Sequence, residues 1–128
     1  LVDPSNRDLL KETVRKMLGA YSEALLPKIC EKMLPLFSEI NLKMPSLQFR
    51  CMTSRWGSCC PSKNTVTLNK FLICVPIECI EGVVIHELAH YIHTDHSPDF
   101  HRLMNRLVSD LKQREATLHL YGGLLHSL

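Results

Sequence analysis

The residues of this chain best suited to chemistry lie in one segment, HELAHYIHTDHSPDFH, which spans residues 86–101. It begins with His86 and His90, four residues apart, so on a helix both imidazoles share one face and can bind a single ion. Glu87 lies beside them. In this arrangement we expect the glutamate to act as general base on a zinc-activated water rather than to bind the ion. The pattern therefore predicts a hydrolase with one Zn²⁺ ion.

A zinc hydrolase usually has a third protein ligand, and the segment offers three further histidines. On a straight helix His93 would lie about 10 Å along the axis from His86, too far to share the ion. His101 falls in the first turn of the next predicted helix. His96 lies in the loop between the helices and matches the spacing of the H-E-x-x-H-x-x-G-x-x-H zinc enzymes, although His93 stands where those enzymes have Gly. We therefore favour His96, with Glu115 as the remaining alternative.

The N-terminal third of the chain is predicted to be helical. Apolar residues recur there at helical spacing, between residues 8 and 40. Gly19, Pro27 and Pro35 interrupt the region, so we expect one long kinked helix or two consecutive helices. The residues expected on its apolar side are Leu10, Val14, Met17, Leu18, Tyr21, Leu25, Ile29, Met33, Phe37 and Ile40.

A small sheet and further helices are predicted to follow. LQFRCMT and TVTLN, residues 47–53 and 65–69, have the pattern of strands, and the turn-forming PSKN between them suggests a hairpin. Pro76 is expected to open the helix that carries the histidines, and Ser97 to cap a C-terminal helix. This layout predicts a single α+β domain over residues 1–128. The expected buried side of the histidine helix is Ile77, Ile80, Val83, Val84 and Leu88.

Composition and charge narrow the function classes. The hydrophobic fraction of 45% and the charged fraction of 22% are normal for a globular domain. A net charge of +2 gives only weak support for a nucleic-acid partner, and no stretch is apolar enough to cross a membrane. The six cysteines form no pair of CxxC knuckles, so we expect reduced thiols and a cytoplasmic protein, with the roles of Cys59 and Cys60 open. Because no Met begins the sequence, we expect a piece of a longer protein.

The stretch from RWGSC to HSPDF, residues 55–100, resembles the core of the YgjP-like metal-dependent hydrolases, a zincin-type metallopeptidase family. The shared order is R-W-G-S-C, a strand ending in L-N, P-x-x-x-I, H-E-L-x-H and H-S-x-x-F. The resemblance implies a zincin-like fold, with His86, His90 and His96 as zinc ligands and Glu87 as the catalytic base. One departure is His101, which stands where the family usually has Trp. The SprT-like DNA–protein crosslink proteases are similar more distantly.

Residues 55–59, RWGSC, are candidates for contact with the substrate. In zincins a strand edge beside the active helix often holds an extended peptide by strand addition. Arg55 and Ser58 are therefore candidate substrate-binding residues, through an anion or oxyanion contact for Arg55. Trp56 and Gly57 are expected to serve packing and a close backbone approach instead.

Three functions remain open at this point. The first is a zinc-dependent metallopeptidase acting on a peptide or small-molecule substrate. The second is hydrolysis of a nucleotide or other phosphate compound, which requires Arg55, Lys63 or Lys70 to point into the cleft. The third is a non-catalytic zinc-binding module, which requires a fourth protein ligand where water would otherwise bind. The candidates for that ligand are His93, Cys59 and His101.

Overall fold

The computed structural model describes residues 4–127, and the side chains of residues 5–123. It confirms the predicted α+β class: a long N-terminal helix, a small three-stranded sheet and further helices. Three short 3₁₀ segments join these elements, at Leu34–Ile40, Pro61–Lys63 and Lys70–Cys74. The helices and strands are α1 (Pro4–Met33), β1 (Ser46–Arg50), β2 (Gly57–Cys60), β3 (Thr65–Asn69), α2 (Ile77–Ala89), α3 (Pro98–Leu107) and α4 (Leu111–Ser127).

The sheet corrects the predicted hairpin. The two expected strands, β1 and β3, are neighbours but run parallel, which a short turn cannot connect. The true hairpin partner of β3 is β2, which pairs with it antiparallel across the 3₁₀ turn and Asn64, whose φ of 51° is left-handed. The strand order β1-β3-β2 places β2 at an edge of the sheet.

Helix α1 begins before the predicted region, ends earlier than residue 40, and is less buried than its pattern predicts. It runs through both Gly19 and Pro27, and the change to 3₁₀ geometry comes after Met33, where Pro35 lies in the first turn. The buried side of the helix includes Leu18, Leu26, Ile29, Cys30 and Met33. The prediction was wrong for part of the apolar set, because Leu10, Met17, Tyr21, Leu25 and Ile40 are exposed.

The main core lies between α1, the sheet, α2 and α3. Helix α2 buries Ile80, Val83, Val84 and Leu88 as predicted, but Ile77 in its first turn is 49% exposed. Ser97 caps α3 as predicted, since its side chain accepts a hydrogen bond from the Phe100 backbone N–H. Within residues 4–127, no helix combines the length and apolarity needed to traverse a bilayer.

Candidate active site

Three histidines converge where α2 ends. His86 lies in the last turn of α2, His90 is its C-terminal cap, and His96 lies in the loop before α3. Each offers a ring nitrogen, and these three atoms all lie within 4.8 Å of one another. The Nε2 atoms of His86 and His96 are 3.1 Å apart. This donor set fits one divalent ion, since neutral imidazoles suit zinc and related transition metals.

The three imidazoles rest on a single aromatic ring. Phe100 in the first turn of α3 is 1% exposed, and its centroid lies 4.8–5.1 Å from all three imidazole centroids. It stacks on His90 at 15° between ring planes and meets the other two edge to face. Because Ser97 fixes the start of α3 through the Phe100 N–H, the loop that carries His96 and the ring beneath it are held together.

A backbone contact orients one of the rings further. The Nδ1 of His90 lies 3.0 Å from the carbonyl oxygen of His93, so an Nδ1–H donates to that oxygen and Nε2 is left as the available lone pair. Burial, followed by the neighbouring imidazoles, lowers the pKa of His86 to about 4. That ring is therefore neutral at physiological pH, which is the form that binds a metal.

Glu87 is held in a buried position beside the histidines. Its side chain is largely inaccessible, at 6% exposure, and burial raises the pKa of its carboxyl to about 7, an effect that the Arg55 charge partly offsets. The backbone of Gly57 on β2 packs against it. An added Cβ at Gly57 would lie 3.0 Å from Cγ and 3.1 Å from Oε2 of Glu87, closer than real Cβ contacts normally come. Gly57 is thus needed for space, as the sequence suggested.

The loop that carries Arg55 is positioned by a buried side-chain amide. The side chain of Asn69, fully buried at the end of β3, donates hydrogen bonds to the carbonyl oxygens of Met52 and Arg55, each at 2.9 Å. It also accepts one from the Phe71 N–H at 3.0 Å. This residue therefore fixes the loop before β2, which carries Arg55 to the cleft.

The histidines and Glu87 line a cleft with a cavity volume of about 620 Å³. Two walls flank the residues that α2 contributes to this cleft. Residues 54–59 form one wall, which includes the two predicted substrate residues Arg55 and Ser58 and also Cys59. Burial, then the nearby Glu87 and Cys60 charges, raise the pKa of the Cys59 thiol to about 12, so it stays protonated.

The other wall was not predicted. Part of it comes from α4, through Leu111, Arg114, Glu115 and Leu118. The i, i+7 spacing of its two leucines is the signal that could have identified an inward face. Helix α2 also contacts α4 closely, through a hydrogen bond from the Arg114 guanidinium to the Glu78 carbonyl oxygen at 3.1 Å.

The other candidate ligands stay outside the donor group. Among the residues that the structure describes, the group near the cleft comprises the three histidines alone. His93 accepts the hydrogen bond from His90 Nδ1 through its carbonyl oxygen, and its ring is not in the donor group. His101 is exposed on α3. Glu115 lines the cavity without joining the donor set, and Cys59 lies on the opposite wall. The arrangement matches the predicted ligand set in geometry.

Comparisons with known proteins agree with this architecture. The family model described as YgjP-like, metallopeptidase domain, matches residues 2–121. No curated protein matches the chain.

Two solved structures share the fold. The metallopeptidase zymogen abylysin of Pyrococcus abyssi is 18% identical, with a TM-score of 0.64, over 73% of this chain and 91% of that one. The metallopeptidase zymogen jannalysin of Methanocaldococcus jannaschii is 20% identical, with a TM-score of 0.60, over 77% of this chain and 96% of that one. Because both identities are below 25%, the likeness shows a shared fold and no more than that.

Proposed function

Because the chain belongs to the YgjP-like metallopeptidase family, we propose that it hydrolyses peptide bonds at one zinc ion held by His86, His90 and His96, with Glu87 as general base. The observation that carries this proposal is the group of three ring nitrogens within 4.8 Å of one another, directly beside a buried glutamate. Three imidazoles without oxygen donors favour zinc or another borderline transition metal over magnesium or calcium, which prefer oxygen ligands.

An ion held there would acidify a water molecule and stabilise the negative charge that develops on the substrate carbonyl oxygen. Glu87 supplies the proton transfers. Its carboxylate accepts a proton as the nucleophile forms, and the resulting acid donates it to the departing amine nitrogen. Burial raises the pKa of the Glu87 carboxyl to about 7, and a Zn²⁺ ion beside it would lower that pKa, which favours the carboxylate that accepts the first proton.

The wall opposite α4 supports a peptide substrate. Edge strand β2 runs beside α2, and an extended peptide can add to such an edge through backbone hydrogen bonds. Ser58 lies on this strand, and Arg55 lies just before it, with both lining the cleft. We assign them to substrate contact, with the Arg55 guanidinium near the reacting carboxyl of Glu87.

The two alternatives receive less support. A phosphate substrate requires Arg55, Lys63 or Lys70 in the cleft, and Arg55 alone of these three lines it, whereas the Lys70 side chain lies against Gly19 of α1; a single cation beside Glu87 gives a phosphate group little support. A purely structural zinc site needs a fourth protein donor, and none of the described residues joins the three histidines.

The test is a metal-dependence assay on the whole chain. The protein is stripped with a chelator, reloaded with one equivalent of Zn²⁺, and incubated in parallel with a mixed peptide library and with nucleoside triphosphates. New peptide termini, detected by mass spectrometry only in the zinc-loaded sample, are the expected result. Phosphate release without peptide cleavage would favour the phosphate substrate instead. Tight stoichiometric zinc with no turnover of either substrate would favour the non-catalytic module.

A further inference from the structure

The cleft extends beyond the three histidines along α2 toward its N-terminal half. There α2 faces α4, and the surfaces between them are mostly apolar. Val83 belongs to the buried core, while Leu111 and Leu118 are half-buried and pack against that core. The whole cleft, at about 620 Å³, falls in the size range of small-ligand pockets, so it has room for a substrate side chain as well as the reacting bond.

A glycine on α2 keeps this space open. Gly82 lines the cavity one turn before His86. A Cβ added there would lie 3.6 Å from Cδ of Arg114, in ordinary contact, so any longer side chain would extend into the space between the two helices. The missing side chain therefore creates the gap rather than relieving backbone strain.

The charges at this end of the cleft are unequal. Arg114 is neutralised and tied down, because its Nε donates to the Asp110 carboxylate at 2.8 Å and its guanidinium also donates to the Glu78 carbonyl oxygen. The adjacent Glu115 is exposed and has no ion pair among the residues that the structure describes. Of the two charged residues that α4 places on the cleft, Glu115 is therefore the one without an ion pair among the described residues, whereas the cation Arg55 lies on the opposite wall.

We propose that this region, which we call the α2–α4 subsite, binds a long side chain of the substrate next to the scissile bond and selects Lys or Arg there over Asp or Glu. The inference rests on the proposed peptidase function and names the substrate class for that site. The apolar stem of Lys or Arg packs along Val83 and Leu118, and the cationic end reaches the carboxylate of Glu115. A substrate carboxylate in the same place would face Glu115 instead.

Two peptides that differ only in Lys or Glu at the position facing the subsite provide the test. Because Glu115 is exposed, the charge effect is screened, and we expect kcat/KM for the Lys peptide to exceed that for the Glu peptide by about fivefold at low salt. Glu115→Lys should reverse that ratio to about fivefold in favour of the Glu peptide, a change of about 25-fold, since attraction and repulsion are both reversed. Glu39→Lys is the matched control, an equal charge change on the exposed 3₁₀ segment, and should leave the ratio unaltered.

The size of the gap is tested with Gly82→Leu. Its added side chain should lower kcat/KM for the Lys peptide at least about fivefold more than for an otherwise identical Ala peptide, because only the long side chain competes for the space. An equal loss on both peptides would contradict the proposed location of the subsite.

Binding separates this inference from the proposed function. Fluorescence anisotropy of labelled Lys and Glu peptides is measured on the zinc-loaded Glu87→Gln protein, which needs no turnover. A preference for the Lys peptide that Glu115→Lys reverses in this background supports the subsite, even if the wild-type chain cleaves no peptide and the peptidase proposal fails. Equal affinity for both peptides overturns the subsite, and cleavage of both peptides by the wild-type chain would then leave the peptidase proposal intact.

Discussion

The two sides of the cleft differ in how firmly their polar groups are held. On the histidine side, His90 donates to a backbone carbonyl, Phe100 supports all three imidazoles, and Glu87 is enclosed between α2 and the backbone of Gly57. On the α4 side, Arg114 is held by Asp110 and by the Glu78 carbonyl oxygen, but Glu115 is exposed with no ion pair among the described residues, and the leucines are half-buried.

This difference indicates which functional property depends on each side of the cleft. Groups that must transfer protons or hold an ion need fixed geometry, and the histidine side supplies it through packing and hydrogen bonds. A surface that only accommodates a side chain tolerates exposure and change. Substitutions on the histidine side should therefore alter kcat or metal affinity, and those on the α4 side should alter substrate preference and KM.

The largest expected effect is that of Glu87→Gln. The amide keeps the shape of the side chain but cannot accept the proton, so kcat should fall by about a thousandfold. Zinc stoichiometry, measured by atomic emission, should stay at one per chain, because this residue is not among the three donors. Retained hydrolysis would refute the assignment of the general base.

Second in size is His96→Ala, which removes a donor from the loop. We expect zinc affinity to fall by more than about a hundredfold, beyond the loss typical of residues that only support a ligand. Glu115→Ala is the matched control from the α4 side and should leave zinc affinity unaltered. Zinc affinity is measured by competition with a chromogenic chelator. A larger loss in Glu115→Ala than in His96→Ala would contradict the assignment of zinc binding to the histidine side.

The sequence was informative where the spacing of neighbouring residues along the chain determines the geometry. The spacing of His86 and His90 on a helix, and of His96 after it, predicted a donor set whose nitrogens the fold brings together. The helix ends at Ala89, so His93 is excluded by the turn that follows rather than by a straight helical axis, which was the reason given from the sequence.

Long-range pairing was less accessible from the sequence. The strand β2, GSCC, has neither alternation nor branched residues, so its pairing with β3 depends on the tertiary fold. The parallel pairing of β1 with β3 likewise leaves no local signal. The inward face of α4 was missed because its two leucines are separated by charged residues, and the exposure of Ile77 depends on which helices pack around α2.

A smaller effect is expected from Gly57→Ala. The new methyl group would press on Cγ and Oε2 of Glu87, and the carboxylate must shift by a few tenths of an ångström. We expect kcat to fall by about tenfold with KM within about twofold, since misplacement of a catalytic group acts on the chemical step. Gly122→Ala on α4, where an added Cβ meets nothing within 4 Å, is the matched control. Equal kcat in the two variants would mean that Glu87 is not held by β2.

The smallest expected effect separates two apolar residues on the opposite sides. Phe100→Leu should cost about 1 kcal/mol of unfolding free energy and also weaken zinc binding by roughly threefold to tenfold, because the three imidazoles lose the ring on which they rest. Leu118→Ala should cost a similar free energy, since this side chain is half-buried against the core, but leave zinc affinity unchanged. Denaturant unfolding of the metal-free proteins gives the first quantity, and zinc competition gives the second. If both variants weaken zinc binding equally, zinc affinity follows the overall stability of the fold. The support that Phe100 gives to the three imidazoles would then not be what determines zinc affinity.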